Sequence, residues 1–218
     1  GNLLPAQALG SGLSNSTRGV YVGGTPDGSN YQTMDYITIA STGNSTDFGL
    51  LVREATQLGG CASSTRGIIA GRVNSSTNGI QYITIATTGN ATVFGNLTTN
   101  SGLQGAYSPG VCSSSTRGII AGGMAEYDTR LCNIQYVTIA TTGNATAFGL
   151  LSGGRIIMGA ASSELRGVFA GGQNSSSQGI NVIEYVTIAS TGNATDFGDL
   201  ASVTTGLAGC SNCHGGLA

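Results

Sequence analysis

The sequence predicts an all-β fold, a β-propeller of four-stranded blades with four full repeats and a partial fifth. Three observations lead there. One set of motifs recurs four times in fixed order. Each copy divides into four short segments rich in β-branched and aromatic residues, separated by Gly, Asn and Ser. No segment sustains a 3.6-residue apolar period, so almost no helix is expected.

The repeat decides the architecture. Tyr36-Ile-Thr-Ile-Ala40 returns, with Ile or Val at the second place, from Tyr82, Tyr136 and Tyr185. Behind each stands Thr-Gly-Asn, which places Asn44, Asn90, Asn144 and Asn193 at one repeat position. Phe48, Phe94, Phe148 and Phe197 follow, each before a glycine. An Arg-Gly pair precedes each copy, at Arg18, Arg66, Arg117 and Arg166. Typical segments are 59–62 for the first strand, 167–172 for the second, 183–189 for the third and 195–200 for the fourth. In the third, Val186 and Ile188 share one face and Tyr185, Thr187 and Ala189 the other. The Val/Ile face calls for a neighbouring sheet.

One repeat domain over 1–218 is expected, with units at 8–50, 56–99, 105–152 and 156–200. A closing unit would join 204–218 to 1–7. Single four-stranded sheets cannot bury two faces alone, and stacking copies around an axis solves this. The alternative is a β-solenoid or a fibre-like stacked β-repeat array. Length differences fall between second and third strands, as in Met124–Cys132, and in the connection through Asn100 and Pro109. Insertions at fixed points of a repeat gather on one face, often the binding face.

Composition narrows the function classes. Charged residues are 8% of the chain, against roughly 25% in ordinary domains. All eight cations are Arg, and the net charge is −2. Nucleic acid is therefore not an expected partner, since phosphate binding needs clustered cations. No run nears the ~18 apolar residues of a membrane helix, so no membrane insertion is expected. The chain begins at Gly1 rather than Met, which is expected of a processed or partial chain, so export is not judged from it.

Two resemblances follow from these motifs. The Gly-Gly pairs at 23–24, 122–123 and 171–172, followed by a Tyr-bearing strand, resemble kelch-like repeats. The chain departs from kelch in having no Trp, and Arg72 replaces the second Gly in unit two. Residues Leu165–Cys210 also resemble a repeat of tail-fibre-like structural proteins of marine phages, particularly those infecting cyanobacteria. That resemblance covers nearly the whole chain. It implies a virion or extracellular protein, in contact with other virion or filament subunits and with host-surface glycan. It implies no catalytic residue.

The residues that could carry chemistry are few. Cys210-Ser-Asn-Cys213-His214 matches the pattern of c-type haem attachment. Against it, Cys61, Cys112 and Cys210 fill one repeat position, His214 is the single His, and four residues follow it. Closed zinc sites need four ligands. No cofactor or metal is therefore expected. The four repeated Arg read as framework, pinning strand-end carbonyls or stacking on Tyr, rather than as a ring facing an anion. The Asn of Thr-Gly-Asn read as turn formers that tolerate positive φ. Asp27, Asp35, Asp128 and Glu184 fall at scattered positions, and no enzyme is expected. Tyr31, Tyr107 and Tyr127 lie toward the variable loops and could stack on sugar rings. A homo-oligomer or architectural filament subunit is the competing expectation.

Overall fold

Four antiparallel sheets of four strands repeat one plan. The computed structural model describes residues 1–4, 8–25, 31–71, 79–98 and 106–211. Sheet 1 holds β1 (Ser11–Ser14), β2 (Arg18–Val22), β3 (Tyr31–Thr38) and β4 (Thr46–Ala55). Sheet 2 holds β5 (Gly59–Ala62), β6 (Arg66–Ala70), β7 (Gly79–Thr84) and β8 (Thr92–Asn96). Sheet 3 holds β9 (Gly110–Ser113), β10 (Arg117–Ala121), β11 (Asn133–Thr138) and β12 (Thr146–Leu150). In sheet 4, β14 (Gly159–Ser162), β15 (Arg166–Ala170), β17 (Ile180–Thr187) and β18 (Thr195–Thr204) follow the same order. A small pair not expected from the repeat, β13 (Arg155–Ile156) with β16 (Gln173–Asn174), ties the entry of unit four to its variable loop. The described residues contain no α-helix and a single 3-10 turn, Glu126–Asp128.

Every ladder among the described strands closes inside one unit, so the units are separate sheets rather than turns of one continuous solenoid wall. The third strand of sheet 4 stops at Thr187, short of the expected Ala189. Ile188 and Ala189 already turn toward the fourth strand, and the Ile188 N–H bonds to the Leu165 carbonyl at 2.9 Å.

A β-bulge recurs at one point of each sheet. Met34 pairs with Gly49 and Asp35 with Asp47, so Phe48 is the extra residue. The same skip isolates Phe94, Phe148 and Phe197. A bulge re-aims a side chain by breaking the two-residue alternation. Each Phe thereby turns edge-on to the Tyr of the third strand, with ring centroids 6.0–6.1 Å apart. The glycine after Phe is a requirement of close approach. A Cβ on Gly49, Gly95 or Gly149 would overlap the carbonyl of Gly89, Gly143 or Gly192 in the next unit.

The core lies between sheets. Val20, Met34, Phe48 and Leu51 of sheet 1 meet Ala62, Ile69, Ile83 and Ile85 of sheet 2. Ile68, Ile80, Phe94 and Leu97 meet Ile120, Val137 and Ile139 of sheet 3. Ile119, Ile134, Phe148 and Leu151 meet Phe169, Val186 and Ile188 of sheet 4. Adjacent residues such as Ile68 and Ile69 therefore serve opposite junctions. The sequence reading gave the third strand one face in need of cover. In sheets 2 and 3 both faces are covered, the Tyr face by the sheet that follows.

First strands stand side by side, β1 against β5, β5 against β9 and β9 against β14. They surround a cavity of about 530 Å3, and Leu207–Ser211 also lines it. Each unit enters its first strand through a residue in the left-handed region: Leu9 (φ 59°), Gln57 (53°), Ser108 (49°), Ile157 (49°) and Gly206 (70°). These corners bond in sequence. Gln57 N–H donates to Leu9 O (2.9 Å), Ser108 to Gln57 (2.8 Å), Ile157 to Ser108 (3.2 Å) and Gly206 to Ile157 (3.1 Å). Five corners thus line up, although the residues in them share no type.

The last sheet has no following neighbour among the described residues. Phe48, Phe94 and Phe148 are 2%, 4% and 5% exposed, whereas Phe197 is 56% exposed. Truncating a buried Phe costs about 3–5 kcal/mol, through lost transfer energy and the cavity left behind. Phe148→Ala should therefore lower unfolding stability by about that amount in urea titrations, and Phe197→Ala by less than about 1 kcal/mol.

Candidate functional site

The repeated polar residues converge on the junctions. Arg18, Arg66, Arg117 and Arg166 each lie over the Tyr of their own third strand, with the guanidinium carbon 4.3–4.5 Å from the ring centroid. Tyr and Phe continue the stack, so cation, ring and ring cross three strands. The first three Arg then reach the next unit. Arg18 Nη1 donates to Ile85 O at 3.0 Å, and Arg117 Nη1 to Ile188 O at 2.8 Å. Arg66 Nη1 donates to Ile139 O and Ala140 O, both at 2.9 Å. Such a guanidinium satisfies carbonyls left over where the third strand ends.

The glycine after each Arg is equally determined by the junction. A Cβ at Gly67 would sit 2.6 Å from a Leu13 methyl, and one at Gly118 or Gly167 would press on the Cys61 or Cys112 sulfur at 3.2 and 2.7 Å. Leu13, Cys61 and Cys112 thus fill one slot against the next sheet. Cys61 and Cys112 are buried, Cys132 is half-buried and Cys210 is exposed.

The Asn residues have a different role from the one expected. None of Asn44, Asn90, Asn144 and Asn193 adopts positive φ. Their side-chain carbonyls accept backbone N–H groups across the junction. Leu50 donates to Asn90 (3.0 Å), Asn96 to Asn144 (3.0 Å) and Leu150 to Asn193 (3.1 Å). Asn2 donates likewise to Asn44 at 2.9 Å, which places Gly1–Leu4 where a preceding unit's fourth strand would lie.

A further junction slot was missed in the sequence. Asp35 and Glu184, read there as scattered acids, share it with Gln81 and Gln135. All four are buried opposite the bulge. Each accepts one backbone N–H from the preceding segment: Leu4 to Asp35 Oδ2 (3.0 Å), Val52 to Gln81 (2.7 Å), Thr98 to Gln135 (2.7 Å) and Ser152 to Glu184 (2.9 Å). The signal was available as spacing, since each stands one residue before the repeated Tyr. The shared property is an acceptor oxygen, which comparison by residue identity overlooks.

Carrying charge in this slot has consequences. Burial pushes the Asp35 carboxyl above the usual carboxylate range, and Asp47 adds to this, while the Leu4 N–H and the Ser45 hydroxyl pull it down. Glu184 instead pairs with Arg155, which enters from β13 and also donates to Val182 O at 3.4 Å. Both side chains are almost wholly inaccessible. Burial lowers the Arg155 pKa, and Glu184 opposes that.

The variable loops form a separate surface. Tyr107 pairs with Met124 through two backbone bonds of 2.9 Å, bringing the long connection of unit three onto its inserted loop. At the loop tip Tyr127 and Asp128 both adopt left-handed backbone (φ 57° and 59°), and Tyr127 is 89% exposed. Such strain in non-Gly residues is typical of sites where structure is held for a purpose. Arg130, which forms an ion pair with Asp128, fastens the loop to unit four through Gln173 Oε1 (3.2 Å) and Ser177 Oγ (3.3 Å). Tyr31 opens β3, two units away, and its side chain lies outside the described residues, as do Asp27, Cys213 and His214. Among the described residues no three His, Cys, Asp or Glu side chains gather as metal ligands.

No family model matches the chain, and no curated protein is significantly similar to it.

Two outcomes follow from the charged junction slots. A carboxyl raised in the folded state holds its proton more tightly there than in the unfolded chain. Its contribution is full below the ordinary carboxylate pKa of about 3.9 and is lost as pH rises through the folded value. Urea midpoints should fall from pH 4 toward pH 7, and Asp35→Asn should flatten that slope. For the ion pair, Arg155→Met alone leaves a buried carboxylate and should cost about 3–5 kcal/mol. Adding Glu184→Gln should recover most of it, because sheets 2 and 3 use Gln there. Both are read from a double-mutant cycle in denaturant.

Proposed function

We propose that the four sheets are blades of a β-propeller of kelch-like plan. On this reading the chain is a non-catalytic virion structural protein of tail-fibre type, which contacts host-surface glycans or other virion proteins. The propeller reading is supported by the strand order in each sheet and by the first strands surrounding a common cavity. The resemblance of Leu165–Cys210 to marine-phage repeats supports the setting.

The observation that carries the binding role is the division of labour between surfaces. Arg18, Arg66 and Arg117 are committed to carbonyls of the next unit, so they offer no cation ring to an anionic ligand. The inserted loop of unit three instead presents an exposed Tyr127 on a strained, Arg130-anchored turn. An exposed aromatic face suits stacking on a sugar ring, and the flanking Glu126 and Asp128 carboxylates can accept bonds from its hydroxyls. Arrayed glycans and candidate host cells should retain the protein, and Tyr127→Ala should weaken retention up to about tenfold, the equivalent of about 1.4 kcal/mol. Absence of signal on every glycan and every host would remove the adhesion role.

A second reading, an architectural assembly subunit, is favoured by the face of sheet 4 that no further sheet covers among the described residues, where Phe197 is 56% exposed.

A further inference from the structure

Three junctions in this chain are built from the same two half-surfaces, and one copy of each half has no partner sheet among the described residues. The forward half carries the Tyr–Phe stack, the Arg guanidinium and the first-strand slot of Leu13, Cys61 and Cys112. On sheet 4 this half comprises Val168, Tyr185, Phe197 and Arg166. Arg166 stacks on Tyr185 as its equivalents do, yet it reaches no carbonyl of another unit among the described residues. The backward half carries a glycine cleft, two apolar third-strand residues and the carbonyls at that strand's end. On sheet 1 this half comprises Gly19, Ile37 and Ile39. Among the described residues a Cβ beside Gly19 would meet only its own sheet's Ile37, where Gly67, Gly118 and Gly167 are pressed by the preceding unit. Ile39 is 52% exposed, while its equivalents Ile85, Ile139 and Ile188 are at most 1% exposed.

We propose that the forward face of sheet 4 docks, head to tail, on the backward face of sheet 1 of a second copy of this chain through the contacts of the internal junction, so that the succession of blades continues into the partner instead of closing on itself. Arg166 would then donate to the Ile39 carbonyl of the next copy, as Arg117 donates to Ile188 O. Phe197 would cover Ile37 and Ile39, as Phe148 covers Val186 and Ile188. The occupant is specified by continuity with the three existing junctions, since each exposed group has a counterpart already buried in the same chain.

Two end segments hold part of each face. Gly1–Leu4 lies in the fourth-strand place before sheet 1, fixed by Asn44, Ser45 and Asp35. Leu207–Ser211 lies in the first-strand place after sheet 4, where Ser211 meets the Ser162 hydroxyl at 3.3 Å. Docking exchanges these short segments for the partner's β1 and β18. A heterologous contact of this kind leaves one free face of each sort on every dimer, so association continues into longer species or a ring.

The inference goes beyond the glycan reading and is tested separately from it, because the mass of the protein is read without any ligand. Light scattering behind size exclusion should show the full chain growing in mass as concentration rises. Phe197→Asp, which spoils only the forward face, and Ile39→Asp, which spoils only the backward face, should each leave a monomer. Both sites are exposed, so unfolding midpoints should stay close to those of the parent. Mixed, the two variants should give a species of twice the monomer mass and nothing larger, because one intact face of each kind remains. Arg166→Ala should weaken association of the parent several-fold. A protein monomeric at millimolar concentration would overturn the proposal, whether its end faces stay bare or close on each other within one chain. So would a mixture of the two variants that stays monomeric while the parent associates.

Discussion

A four-stranded sheet has two faces and can cover neither alone, and that constraint organises this molecule. The solution is one junction used three times. A bulged Phe and its partner Tyr press forward onto Ile, Val and Ala of the next sheet. The bulge matters because simple alternation would not send Phe148 where it lies. Removing one residue from the ladder turns the ring onto Tyr136 and sets Gly149 against the next Thr-Gly-Asn turn. Sheet spacing is then fixed by backbone meeting backbone, which is why a Cβ cannot be added there. The close packing of protein interiors makes such a contact unforgiving of added volume.

Burying that much backbone leaves donors and acceptors to be satisfied, and apart from the repeated Arg at the strand ends the junction does this mostly with neutral groups. Asn side chains accept from the fourth strand just after the bulge, and Gln81 or Gln135 accepts two residues further on. Ser113 and Ser162 hydroxyls donate to carbonyls of the neighbouring first strand, at 2.8 Å each. Each bond is modest in net terms, but an unmade one at a buried junction would cost about 1–3 kcal/mol. The neutral polar side chains buried among the described residues are Ser45, Ser63, Gln81, Ser113, Ser114 and Gln135, at places where an ion would need a partner. Where a carboxyl occupies the slot, Glu184 brings Arg155 with it, and burial holds Asp35 above the usual carboxylate range.

Much of this was legible in the sequence because the junction repeats by residue identity. Tyr, Phe-Gly, Arg-Gly and Thr-Gly-Asn recur because each is the one side chain, or the one absence of a side chain, that its place accepts. Strand order and the all-β class came from the same motifs. Three things were hidden, each for a physical reason. Asp35, Gln81, Gln135 and Glu184 share a slot defined by an acceptor oxygen, which several residue types supply. The corners at Leu9, Gln57, Ser108, Ile157 and Gly206 share a backbone conformation and no side chain at all. The Asn of Thr-Gly-Asn was assigned to its own turn because local propensity is what a sequence displays. Its partner lies 40 to 50 residues earlier in the chain.

The same logic separates framework from function. A position held by a junction in every unit has its chemistry spent on the neighbouring sheet, so recurrence argues against a ligand. Arg117 is the clearest case, with ring on one side and carbonyl on the other. What is free to recognise something else must lie where the repeat breaks. It breaks at the inserted loop around Tyr127, whose length and sequence the other units do not share and where two consecutive residues are held left-handed. It also breaks at the two outer faces, where Arg166, Phe197 and Ile39 lack, among the described residues, the partners that their equivalents have. The first kind of break invites a ligand unlike the protein, and the second invites the protein itself. Because the end faces carry few charges, little electrostatic repulsion opposes that second contact, and its specificity must come from the fit of Phe197 and Arg166 against a surface already solved three times within the chain.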